Sequence, residues 1–272
     1  MPELWKLARG DAPLIVNVPH CGTHVPDAIL DRFTPQGQAL FDTDWHVDKL
    51  YDFVPAMGAT LMAATHSRYV TDLNRDPDGR ALYPGADNTE ICPTSTFAEQ
   101  PIYRQGEAPG TEEIGARIAT YWRPYHAALA AEIARIRSLH GYCILLDGHS
   151  IVSIAPRFFS GVLPDLNLGT AEGASCGPLV QASAIRALSG QSRFSLVVNG
   201  RFKGGYITRH YGRPEQGVHA LQLEMGWRAY LDEAAPQVLD RSRAAALIDL
   251  LGGLANALAS APASALVHSG KP

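Results

Sequence analysis

Two histidines in this chain each follow an apolar run. Leu14 to Val18 leads through Pro19 to His20, and Tyr142 to Leu146 leads through Asp147 and Gly148 to His149. Short apolar runs bounded by Pro and Gly read as buried strands, and open α/β sheets gather ligands at the carboxyl ends of their strands. If the two strands are neighbours, His20 and His149 bring two imidazoles to one metal. Zinc hydrolases commonly add one carboxylate to two histidines and keep a position open for water. The acidic candidates cluster at Asp42, Asp44 and Asp48, and Asp44 is the preferred third ligand, with Asp48 one turn away on the same face of an expected helix. Asp147, two residues before His149, is expected to orient the site from behind the ligands.

Other polar groups stand where a substrate could meet them. In Ala220-Leu-Gln-Leu-Glu224-Met, a strand would put Leu221 and Leu223 on one side and Gln222 and Glu224 on the other. A carboxylate there is the right type to act as a general base toward an activated water. Arg68, Asn74 and Arg75 crowd the segment Ser67 to Asp76, and Arg209 follows Gly204-Gly205. Arginine reads carboxylates bidentately and cannot be deprotonated, so these segments suit anion recognition. The remaining histidines, His24, His46, His66, His126, His140, His210, His219 and His268, have weaker claims, and most of them are read as surface or loop residues.

Those groups need a scaffold. The 272 residues are 46% apolar, enough for one large core without disulfide or metal staples. Strands are expected at 14–19, 59–65, 142–147, 194–198 and 218–225. Further extended pieces are expected at 69–73, 158–162 and 205–210, the last three segments of the chain pairing antiparallel. Helices are expected at 39–54, 111–140 (kinked at Pro124 and stopped by Gly141), 178–188 and 234–258. The stretch 77–110 reads as a long surface excursion. The alternation predicts an α/β fold, a single domain over 1–259 with a central mixed β-sheet flanked by helices, and a disordered Ala/Ser/Pro tail over 260–272.

A net charge of −4 without a basic stripe argues against nucleic acid or an anionic membrane as partner, leaving a small-molecule substrate. No apolar stretch is long enough for a membrane span, and Met1 to Lys6 carries no signal-peptide core; a cytoplasmic location is expected. Cys21, Cys92, Cys143 and Cys176 are scattered and suggest neither a disulfide framework nor a Cys-rich zinc site.

Taken in order, Pro19-His20-Cys21-Gly22, Ser67 to Arg75, Asp147-Gly148-His149-Ser150 and Gly204 to Arg209 through Glu224 resemble the N-formylglutamate amidohydrolase family, over nearly the whole chain to about residue 235. More distantly, the chain resembles the aspartoacylase and zinc carboxypeptidase superfamily. The resemblance implies a zinc-carboxypeptidase-like fold and one Zn2+ per chain. It implies His20 and His149 as zinc ligands, Glu224 as general base, Arg68 polarising the scissile carbonyl, and Asn74 with Arg75 holding a substrate carboxylate. The substrate would be an acidic N-acyl amino acid, N-formyl-L-glutamate, cleaved to formate and L-glutamate in histidine degradation. Thr23 departs from relatives whose HxxE motif places a carboxylate ligand three residues past the first histidine.

Two readings compete. Asp44-Trp-His46-Val-Asp48 fits the ligand pattern of manganese ureohydrolases, although no apolar strand precedes it. A non-catalytic binder of acidic amino acids could use Arg75 and Arg209 without turnover. A serine hydrolase is disfavoured because Gly148-His-Ser150 lacks a second glycine, and a Cys21 nucleophile has only neighbouring histidines in its favour.

Overall fold

The apolar runs do form neighbouring strands. The computed structural model describes residues 3–82, 85 and 87–261. Its seven strands are β1 (Trp5–Ala8), β2 (Leu14–Val18), β3 (Thr60–Ala64), β4 (Cys143–Ile151), β5 (Leu166–Gly169), β6 (Leu196–Val198) and β7 (Val218–Gly226). They make one mixed sheet in the order β1-β3-β2-β4-β7-β5-β6. The central strands β3, β2, β4 and β7 run parallel, β1 and β5 join antiparallel to them, and β6 is parallel to β5. The expected antiparallel trio near the end of the chain is therefore not formed. Residues 206–211 form a helix, and β6 pairs with β5 rather than with β7.

Helices cover both faces, so the α/β single-domain expectation holds. They are α1 (Asp27–Leu30), α2 (Pro35–Gln38), α3 (Val47–Leu50), α4 (Thr111–Arg117), α5 (Arg123–His140), α6 (Pro178–Ser189), α7 (Tyr206–Tyr211) and α8 (Arg241–Ala259). On one face Leu247, Leu251 and Leu254 of α8 bury against Leu14, Val16, Leu146 and Leu221. On the other, Tyr125, Leu129 and Ile133 of α5 bury against Ile15, Leu145 and Ala220. A π turn over Ile118–Trp122 joins α4 to α5. It widens the helix just ahead of Pro124, which lacks an N–H and would crowd the preceding turn. Gly141, at φ 78°, closes α5 in the left-handed region as expected.

Several sequence expectations give way. The helix expected over 39–54 shrinks to α3, because Leu40 and His46 turn left-handed at φ 48° and 61° and the chain between them folds inward. The apolar periodicity there was real burial, but Asp42 and Asp44 are buried with it. Residues 69–73 form turns, with Val70 N–H donating to Ser67 O. The strand expected at 158–162 lies instead at β5. The last helix begins only at Arg241, where Asp240 accepts from the N–H groups of Ser242 and Arg243. Residues 262–272 of the expected tail lie outside the described residues.

One feature of the sheet places the chemistry. On the α5 face the strands start apolar, with Ile15, Cys143, Leu145, Val218 and Ala220. Toward their carboxyl ends the same face carries Asn17, Asp147, His149, Gln222 and Glu224, all buried. Register sets Asn17 opposite Asp147 and His149 opposite Glu224. Side chains alternate at period two, so the polar cluster is the direct continuation of one apolar face.

Candidate metal and amidase site

His149 lies inside β4 rather than in a turn after it, whereas His20 stands just past the end of β2. Asp147 Oδ2 is 2.9 Å from His149 Nε2, and Asp72 Oδ1 is 2.8 Å from His20 Nε2. In the neutral rings, an Nε2–H donated to the carboxylate leaves a lone pair on each Nδ1. Those lone pairs meet Asp44 Oδ2, at 3.0 Å from His149 Nδ1 and 3.7 Å from His20 Nδ1. His20 Nδ1 is buried and has no hydrogen-bond partner. Two imidazole nitrogens and a carboxylate oxygen converging on one point suit a shared cation, a proton between His149 and Asp44 or a metal among all three, and ligand atoms around a four-coordinate zinc stand about 3.3 Å apart. Carboxylates behind both imidazoles are the usual means of fixing the tautomer of metal-bound histidine. Among the described residues, the group that could hold a metal is His20, Asp44 and His149, within 4.8 Å of one another. The donor set therefore fits the expected zinc.

Local structure explains each placement. Asp44 N–H donates to His20 O at 3.0 Å, which docks the irregular 40–46 segment against the end of β2. Ser150 N–H donates to Asp44 Oδ2 at 3.2 Å. Asp147 is held from its far side by Asn17 Nδ2 at 2.7 Å, and Asn17 by the Tyr125 hydroxyl at 2.6 Å. Asp72 accepts from Arg68 Nη2 at 2.6 Å and from Asn74 N–H at 2.8 Å.

The electrostatics follow from these pairings. Burial alone would raise the Asp72 carboxyl, but Arg68, His20 and Arg75 outweigh it and hold it well below the usual range. Burial opposes ionisation of Asp44 too, and His149, His20 and Arg68 reverse that. Burial, then the Arg68 charge, lowers His20. For His149, Asp147 and Asp44 overcome burial and raise it well above its ordinary value, the same attraction that would hold a cation.

Glu224 sits beside His149 across the β4–β7 register and lines the cavity that His20 and His149 enter. Burial pushes its carboxyl up to about 7, and Gln222 Nε2 donates to its Oε2 at 3.1 Å. Arg68, Asn74 and Arg75 line the same cavity. The Arg68 guanidinium lies 4.9 Å from the Phe97 ring centroid and 3.5 Å from Asp44 Oδ1. Asn74 Nδ2 stands 3.1 Å from His149 Nε2, while Asn74 Oδ1 accepts from Ile207 N–H at 2.8 Å. Gly205 permits that approach, since a Cβ there would meet Asn74 Nδ2 at 2.3 Å. Arg75 reaches Thr89 Oγ1 at 2.7 Å through Nη2.

Arg209 is placed differently. It lies on α7, donates from Nε to Gly204 O at 2.9 Å, and lines a neighbouring groove with Arg75, Tyr206 and His210 rather than the cavity. The rival Asp44-His46-Asp48 cluster does not assemble either, because His46 Nε2 meets Pro236 O at 3.1 Å and Asp48 pairs with Lys49. His66, His126 and His219 are buried, not surface residues. Sequence reasoning assigned no role to Asp72, although its place two residues before Asn74 was visible. It also passed over Gln222, Phe97 and Arg201 on the cavity wall.

A sequence model of the N-formylglutamate amidohydrolase family matches residues 12–231. N-formylglutamate deformylase of Pseudomonas aeruginosa is 47% identical over 87% of this chain and 88% of its own length. The enzyme of that name from Pseudomonas putida is 43% identical over the same shares. Among solved structures, an N-formylglutamate amidohydrolase from Ralstonia eutropha superposes with a TM-score of 0.78 at 28% identity, over 97% of this chain and 98% of that one. A protein of Agrobacterium tumefaciens shares the fold at a TM-score of 0.69 and 14% identity, over 94% and 96% of the two chains. This chain is a member of the N-formylglutamate amidohydrolase family.

Proposed function

We propose that this chain hydrolyses the formyl amide of N-formyl-L-glutamate to formate and L-glutamate, using a zinc ion held by His20, Asp44 and His149. The observation that carries the reading is the convergence of His20 Nδ1, His149 Nδ1 and Asp44 Oδ2, with Glu224 beside His149 in the cavity that both histidines line. Family membership and the names of the Pseudomonas relatives support the substrate. The metal would supply Lewis acidity toward the formyl carbonyl and the attacking water.

The chain's own groups do the rest. Glu224 takes a proton as water adds to the formyl carbon and delivers it to nitrogen as the C–N bond breaks. A carboxyl raised to about 7 by burial suits both directions of that transfer near neutral pH. Arg68, held by Asp72, offers a fixed positive charge to the carbonyl oxygen as it becomes an oxyanion. Asn74 and Arg75 bind a substrate carboxylate. This reading places the reaction in histidine degradation and the protein in the cytoplasm; among the described residues no helix is long and apolar enough to cross a membrane.

Metal analysis of the purified protein combined with a formate-release assay tests it. About one zinc per chain and formate release abolished by a chelator are expected. Undiminished activity in metal-free protein would remove the metal, and absence of formate release by the metal-loaded protein would remove the reaction.

A further inference from the structure

We propose that Arg201 reads the side-chain carboxylate of the substrate and so sets the preference for an acidic N-formyl amino acid, a role that rests on the amidase reading above. Arg201 lines the cavity that holds His20, His149, Glu224 and Arg75, whereas Arg209, the arginine favoured by sequence spacing, does not. The substrate carries two carboxylates at different distances from the scissile bond. Asn74 lies against the His149 ring, so its neighbour Arg75 is placed for the carboxylate on the carbon bearing the amide nitrogen. The second carboxylate lies two methylenes further out and needs a cation from another element. Arg201 comes from the 199–205 loop between β6 and α7.

The loop is built to hold a side chain still. Asn199, at φ 51°, accepts from Thr170 N–H at 2.8 Å and donates to Thr170 Oγ1 at 2.9 Å. Further along, Lys203 O accepts from Ala171 N–H at 2.6 Å, and Gly205 N–H donates to Gln222 Oε1 at 2.7 Å. The Arg201 guanidinium lies 5.9 Å from the Phe158 ring and 5.4 Å from the Phe202 ring, with Nε donating to Phe158 O. Aromatic faces and a backbone acceptor fix the plane of a fork that matches a carboxylate. Asp87, which also lines the cavity, is gripped by Arg157 at 2.7 and 3.0 Å, so its charge is already answered.

The test uses full-length metal-loaded protein as wild type, Arg201→Ala, Arg201→Lys and Arg209→Ala. Each is assayed with N-formyl-L-glutamate and N-formyl-L-glutamine, and for binding of L-glutamate and L-glutamine by calorimetry, with metal content and circular dichroism as controls for folding. In the wild type, formylglutamate should exceed formylglutamine in kcat/KM by about tenfold or more. Arg201→Ala should bring that ratio close to one, mainly by raising KM for formylglutamate, and should erase the binding preference for glutamate. Arg201→Lys should fall between the two. A ratio and a binding preference that survive in a folded, metal-loaded Arg201→Ala protein overturn the proposal, as does a collapse of both in Arg209→Ala with Arg201→Ala unaffected. Should wild type turn over neither compound, the amidase reading fails, and the binding arm still decides the role of Arg201.

Discussion

His20 and His149 reach one point by different routes. His149 stays in β4, where register with β2 and β7 sets its position, and Asp147 on the same face holds its Nε2. Asn17 of the adjacent strand and Tyr125 of α5 stand behind that carboxylate. His20 has already left its strand, and Asp72 holds it from a distant turn. That turn is braced by charge and by backbone donors: Arg68 and Asn74 N–H bond Asp72, and His126 Nε2 lies 2.8 Å from Leu73 O. One histidine is placed by hydrogen-bonded backbone and the other by a network of side chains in a loop. Secondary structure is the more forgiving support, because losing one side chain leaves the strand where it was.

The largest expected effect marks the outer bound of this comparison, since Glu224 shares the β4–β7 register but holds neither histidine. Glu224→Gln should lower kcat by about 10² to 10⁴ with metal content unchanged. Turnover within about threefold of wild type in a folded, metal-loaded variant would reduce Glu224 to a polar strand residue. The two carboxylates come next. Asp72→Asn and Asp147→Asn should each weaken zinc binding by roughly ten- to a hundredfold in chelator competition, with Asp72 nearer the upper end because it also anchors Arg68 and Asn74. A greater loss at Asp147 would reverse the comparison.

The brace at His126 should appear as pH dependence. Burial lowers its pKa from 6.5 to about 3, so the folded protein keeps the ring neutral where the unfolded chain would protonate it. Its contribution is full above pH 6.5 and is lost as pH falls toward 3, at up to about 1.4 kcal/mol per pH unit. Denaturant titrations at pH 7.5 and pH 5 should show a smaller acid loss in His126→Gln than in wild type; an equal loss would assign the acid sensitivity to other groups. The smallest effect on the site is expected from Tyr125→Phe. Leaving Asn17 Oδ1 without its donor should cost about 1 to 3 kcal/mol of stability but change zinc affinity by less than about threefold, because the strand pairing remains. A larger change would mean that register alone does not place His149.

Strands at 14–18, 218–226 and the first half of β4 were legible because apolar runs with punctuating Pro and Gly have few other readings, whereas the sequence predicts a turn at His149 and β4 runs on through it to Ile151. Also legible were the two histidines and the alternation that turns Glu224 away from Leu221 and Leu223. The sequence sets Asp44 on a helix face, yet it reaches the two histidines from a segment bent by left-handed Leu40 and His46. Local periodicity carries no sign of such turns at non-glycine residues. Arg209 was favoured for its two glycines, but Gly204 and Gly205 serve the turn into α7 and the approach of Asn74. Asp72 and Arg201 contact residues far away in the chain, which spacing cannot report.

The order of the strands also dictates an order of assembly. β5 and β6 precede β7 in the chain, yet they reach the rest of the sheet only through it. His20, Asp44 and His149 are therefore all synthesised before the strand that carries Glu224, and that strand must enter between two already made. Pairing of such distant segments is slow compared with local structure. A nascent chain thus carries His20, Asp44 and His149 before it carries Glu224, and the four come together only once the strand that closes the sheet has entered.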